Sequence, residues 1–146
     1  MGNVDAVKAK VQRYLTSIFN SVQIDNDGDY SVRHDSARLF MRVVAPGSAP
    51  DSPTFVVLWT PLLRGVNDGP ELHKYIAYHA DDYRFGHLSL HKNSDGTTSV
   101  LFTHQLLGDY LDEAELGYAA VGMVSTADDI DDDLQSRFGG SRFHEE

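Results

Sequence analysis

The chain has 146 residues, a formal net charge of -10, 41% hydrophobic residues and no cysteine, which permits one buried core and excludes disulfides and thiolate chemistry. Its negative field opposes a nucleic-acid phosphate backbone, and no apolar run approaches the roughly twenty residues that span a bilayer. With no apolar signal segment at the start, the expectation is a cytoplasmic protein of a single domain, 1–146, with an ordered core of about 4–140.

A first helix follows Asn3, a capping residue type. Val7, Val11, Tyr14, Leu15 and Ile18 form its apolar face. Asp25-Asn26-Asp27-Gly28-Asp29 reads as a turn. Two strands come next, Tyr30 to His34 and Arg38 to Ala45, joined at Asp35-Ser36. On the second, Leu39, Met41 and Val43 face one way, and Phe40, Arg42 and Val44 the other. Pro46 to Pro53 is a loop rich in Pro, Gly and Ser.

Thr54 to Leu63 is the longest apolar run and holds the one tryptophan, Trp59. Its β-branched and aromatic residues read as a strand. Phe55, Val57 and Trp59 point one way, and Val56, Leu58 and Leu62 the other; Pro61, without an N–H, should interrupt regular pairing. Both faces are apolar, and such a strand needs cover on both sides. The helices can supply one cover, so the other falls to more of this chain, a second copy or a ligand.

Asp68-Gly69-Pro70-Glu71 signals a second helix, with Asp68 as cap, Glu71 completing a capping box, and Leu72, Tyr75, Ile76, His79 and Tyr83 facing inward. Gly86 to Lys92 and Thr97 to Gln105 form a hairpin about Asn93-Ser94-Asp95-Gly96. A four-residue turn puts Leu88, Leu90 and Leu101 on one face, and His87, Ser89, His91, Val100, Phe102 and His104 on the other. Asp112 with Glu115 opens a final helix whose stripe is Leu116, Ala120, Met123, Ala127, Ile130 and Leu134. Gly139-Gly140 ends it, and Ser141 to Glu146 is expected to fray. The order is α-β-β-β-α-β-β-α, an α+β fold.

Sites of chemistry are sparse. The Asp25 to Gly28 string is similar to part of a calcium loop, but Gln23 and His34 stand where that loop wants Asp and Glu. His87 and His91 share a strand face about 13 Å apart, too far to share a metal; His104 is the remaining candidate to approach one of them across the hairpin. Nucleophile-elbow, phosphate-loop, dinucleotide and zinc-hydrolase motifs are all absent. No metal, cofactor or catalytic residue is expected, and the chain reads as a non-enzyme. Asp128, Asp129, Asp131, Asp132 and Asp133 form an acidic run near the C-terminal end of the last helix, where negative charge is unfavourable. The run reads as a solvated face or as a patch for a basic partner or a cation.

The element order and several strings resemble the YbjN-like family, which shares its fold with the class I type III secretion chaperones of the CesT/Tir-chaperone type. The residues carrying the resemblance are Val7 to Phe19, Phe55-Val56-Val57-Leu58-Trp59, Glu71 to Ile76, Phe85 to Leu90, Val100-Leu101-Phe102, Ala127-Asp128-Asp129 and Phe138-Gly139-Gly140. The resemblance implies a twisted antiparallel five-stranded sheet with helices packed on it. It also implies a bacterial homodimer that binds extended protein segments along apolar surface without cofactor or ATP. The alternative is a YbjN-like stress or sensory regulator, or a structural interaction protein, binding a folded partner. The candidate partner-binding residues are Phe40, Val44, Trp59, Phe102 and His104, expected on one surface, with the aspartate run as a second patch.

Overall fold

The structure is a computed structural model that describes residues 3–34 and 37–142. Its elements are α1 (Asn3–Ile18), β1 (Gln23–Ile24), β2 (Tyr30–His34), β3 (Ala37–Val44), β4 (Phe55–Val66), α2 (Pro70–His79), β5 (His87–Lys92), β6 (Thr98–Leu107), α3 (Glu113–Phe138) and β7 (Ser141–Arg142). The fold is α+β. The strands run β1-β2-β3-β4-β6-β5, every neighbour antiparallel, and β7 pairs with Leu63 and Arg64 of β4. The sheet has seven strands rather than five because β1 and β7 are two-residue strands, too short to show an alternation in sequence. Ser141 and Arg142 are therefore held by the sheet, which corrects the expected fraying; residues 143–146 lie outside the described residues, as does the Asp35-Ser36 turn.

All three helices pack toward one face. Val7, Val11 and Leu15 of α1, Leu72 of α2, and Leu116, Ala120, Met123, Ala127 and Leu134 of α3 join one core cluster. The sheet contributes Leu39, Met41 and Val43 from β3, Val56, Leu58 and Leu62 from β4, and Leu88, Val100 and Phe102 from β5 and β6. Each such side chain contributes roughly 1.5–3 kcal/mol on full burial. The α3 helix, at about 1.5 Å per residue, is roughly 39 Å long and crosses the sheet. It packs against both β3 and β4.

Local chemistry accounts for most element ends. Asp112 caps α3, its carboxylate accepting from the Glu115 N–H at 2.8 Å. The helix closes where the Gly139 N–H donates to the Gln135 carbonyl at 2.8 Å. Asp68 does not cap α2. Gly69 takes that position without a side-chain bond, and Asp68 instead pairs with His73 and, at 3.8 Å, with Lys92. Asn3 is already helical, and its amide donates to Asp109 at 2.6 Å. The β4–β6 register shifts between Pro61 and Leu63, as the missing N–H of Pro61 requires.

The β5–β6 hairpin corrects the expected register. Lys92 pairs with Thr98 rather than Thr97. Asn93 N–H donates to the Thr97 carbonyl at 2.8 Å, Gly96 N–H donates back to the Asn93 carbonyl at 3.1 Å, and Gly96 has φ 88°. This is a turn followed by a left-handed glycine, which consumes one residue more than a four-residue turn. One residue of slip moves a strand's side chains to the opposite face. Leu88, Leu90, Val100, Phe102 and His104 therefore face the helices, and His87, Ser89, His91 and Leu101 face away.

Candidate functional site

The face of the sheet away from the helices is the candidate site. Strand alternation builds it from the residues between the core positions. Five registers align one row across the sheet: Gln23, Ser31, Phe40, Trp59, Thr103 and His87. A second row runs Val44, Phe55, Leu107. Phe40, Val44, Phe55, Val57 and Trp59 are half-buried and stand outside the core cluster, and Leu107 is 50% exposed.

The centre of this face is aromatic and ordered. Phe40 and Trp59 stack with ring centroids 5.4 Å apart and planes 14° from parallel. Arg38 lies 5.6 Å from the centre of the Phe40 ring and Arg42 5.6 Å from that of Trp59. Arg42 is fixed by a two-pronged ion pair to Asp29, from Nε at 2.8 Å and Nη2 at 2.6 Å. That hydrogen bond, with the charge of Asp29, raises the Arg42 pKa still further. The result is an apolar platform framed by guanidinium groups.

The five candidate residues divide between the two faces. Phe40, Val44 and Trp59 come together on the open face. Phe102 is fully buried among the helices and meets Tyr83 edge-on at 5.1 Å. His104 lies on the same covered side, opposite Leu58, and its Nδ1 accepts from the Gly86 N–H at 3.1 Å. Burial, with a smaller contribution from His87, lowers the His104 pKa. His87 turns the other way and shares a hydrogen bond with Thr103 Oγ1 at 3.1 Å. Phe55, Leu107 and the arginines of the open face join the site without having been expected there. Phe55 shares the parity of Trp59, a signal that could have found it, whereas Leu107 lies past the strand end that the sequence suggests.

The aspartate run does not form one patch. Asp131 is buried. Asp128 pairs with His34 at 2.9 Å, Asp133 with Arg137 at 2.9 Å, and Asp132 with Arg142. Asp129 is exposed. Much of the run is thus joined to basic side chains of the chain itself. Among the described residues, the grouping able to offer three metal-ligand atoms within 4.8 Å is Asp25, Asp27 and Asp29. Asp29 is committed to Arg42, and Asp25 Oδ1 accepts from the N–H groups of Asp27 and Asp29. No helix among the described residues is long and apolar enough to cross a membrane.

A sheet with helices on one side and an aromatic stack on the other has the geometry of a binding module. The family model described as "T3SS (YopN, CesT) and YbjN peptide-binding chaperone 1" matches residues 5–146. The chain belongs to this family. Among solved structures, the crystal structure of the ExsC–ExsE complex matches with a TM-score of 0.61 and 14% identity, covering 88% of this chain and 93% of that one. At that identity the likeness shows the fold alone. No curated protein sequence matches the chain. The expected family and fold therefore hold, and the family is one of peptide-binding chaperones.

Proposed function

We propose that this member of the peptide-binding chaperone family is a non-enzymatic module that holds an extended protein segment along the open sheet face. The segment lies over Phe40, Val44 and Trp59, joined by Phe55, Val57 and Leu107. One observation carries the reading: all three helices pack on the same side, which places a stacked aromatic pair on the opposite face of the sheet. Apolar patches of this kind serve as interaction sites, and pockets between alternate side chains of an extended peptide suit a pleated surface. A neighbour in fold was solved as an ExsC–ExsE complex, which favours a protein partner here. The reading includes a homodimer and a cytoplasmic location.

The test is crosslinked capture from the cell of origin, comparing wild type with Trp59→Ala after both are shown folded. Capture of an extended client that Trp59→Ala loses supports the reading and locates the face. Capture of folded regulators alone favours the regulatory alternative. Capture that is unchanged in Trp59→Ala removes the open face from the function. Sedimentation of the purified chain decides the homodimer separately.

A further inference from the structure

Next to the Phe40–Trp59 stack, the open face ends in arginine. Arg33 on β2 and Arg38 on β3 are directly opposite one another, on the same side as Phe40. Like charges at paired positions repel and cost stability. Among the described residues neither forms an ion pair. Arg38 is held by neutral groups alone: Nη2 donates to the Gln23 side-chain oxygen and, at 3.0 Å, to Ser31 Oγ. Its Nε is buried with no hydrogen-bond partner among the described residues. Arg42, further along the same strand, shows the opposite solution, with the Asp29 carboxylate closing on it.

The arginine pair also has space beside it. A cavity of about 340 Å³ lies at the β2 edge of the sheet, lined by Gln23, Ser31, Arg33 and Arg38 and, from the helix side, by Ile18 and Val32 among others. It lies where β1 stops, since Gln23 opposite Ser31 is the last pair. Asp25 N–H donates to the Asp29 carbonyl at 3.0 Å. Antiparallel alternation then directs the backbone N–H and C=O of Ser31, and next those of Arg33, toward the same side. At Arg33 no strand among the described residues pairs on that side.

We propose that this end of the face receives a carboxylate side chain of the client, so that the bound segment is acidic as well as apolar. The proposal rests on the peptide-binding reading and adds the chemistry of the segment. Two guanidinium groups match a carboxylate by charge and by hydrogen-bond geometry, and one anion relieves the Arg33–Arg38 repulsion. The net charge of -10 does not oppose this: screening confines charge effects to about 8 Å at physiological salt, so the local pair dominates. Arg38 and Phe40 are two residues apart, about 6.8 Å along the strand. An extended client therefore presents Glu or Asp at one position and an aromatic or aliphatic residue two positions away.

The test uses three short labelled peptides of alternating Ser and Val that carry Glu-Ser-Phe, Gln-Ser-Phe or Lys-Ser-Phe. Each is titrated with the full chain by fluorescence anisotropy at low and high salt. The Glu peptide is expected to bind at least about tenfold tighter than the Gln peptide, with the preference shrinking as salt rises. Arg33→Gln and Arg38→Gln, each checked for folding, should each bring the Glu-to-Gln ratio toward one. Equal binding of Glu and Gln peptides by wild type, or tighter binding of Lys, overturns the acidic preference and leaves peptide binding standing. Failure of all three to bind removes the peptide-binding reading and the proposal with it. Trp59 emission that changes with protein concentration in the absence of peptide would mean that a second copy covers the face, which also overturns the proposal.

Discussion

The two sides of β4 carry similar residues and meet different fates. Val56, Leu58 and Leu62 lie at 0–2% exposure under the helices, while Phe55, Val57 and Trp59, their immediate neighbours in sequence, stay half-buried on the open side. Hydrophobicity alone thus does not decide burial; the side on which the three helices pack does. The open side compensates in part through its own contacts, the Phe40–Trp59 stack and the Arg42–Asp29 pair. It should therefore tolerate truncation better than the covered side.

Truncating one aromatic on each side is the most direct way to break this contrast. Phe102→Ala should cost about 3–5 kcal/mol, the range for a fully buried aromatic, against roughly 1–2 kcal/mol for Trp59→Ala, which forfeits a stacked pair and the apolar area of a half-buried ring. Urea denaturation measures both, and equal losses would make Trp59 a core residue and collapse the distinction. Gly86 sharpens the same point from the backbone. It has φ 93°, and a Cβ there would lie 2.8 Å from the Phe102 ring. Gly86→Ala should therefore cost roughly 2–4 kcal/mol from left-handed strain and overpacking together, read as a lowered urea midpoint.

On the open side, Arg42→Ala leaves the buried Asp29 carboxylate without its cation. The expected loss is about 1 kcal/mol, at the low end for an unpaired buried group because Arg42 is half exposed; a neutral result would mean that the pair is ornamental to the fold. The smallest effect belongs to pH. Burial lowers the His104 pKa in the folded chain, so below about pH 6.5 the unfolded chain binds the proton more readily. Stability should be full above that pH and fall as pH drops toward the folded-state pKa. His104→Gln should flatten that part of the pH profile in thermal unfolding, and an unchanged slope would assign it to another group.

Much of the fold is legible in the sequence because it rests on short-range rules. The α1 and α3 stripes, the alternation of β3 and β4, the Asp112 cap and the break at Pro61 all arise from residue types within a few positions. The hairpin departs from expectation because Asn93-Ser94-Asp95-Gly96 suits two turns that differ by one residue, and that residue decides the face for Phe102 and His104. Asp68 departs from its expected capping role because His73 and Lys92 compete for its carboxylate, and Lys92 arrives only through the packing of the hairpin. Among the site residues, Phe40, Val44 and Trp59 are legible from parity. The arginine pair lay within reach of the same local reasoning, because Arg33 and Arg38 are five residues apart on adjacent strands.

The sequence by itself determined which side chains of β3 and β4 share a face, because strand alternation is a property of each residue and its neighbours. It also determined the acidic balance, the absence of thiol chemistry and the order of the longer elements. Only the tertiary structure decided which face the helices cover, which candidates stand together, and where Arg42 finds a carboxylate. Those outcomes depend on strand register and helix docking between residues far apart in the chain, and no local pattern encodes them.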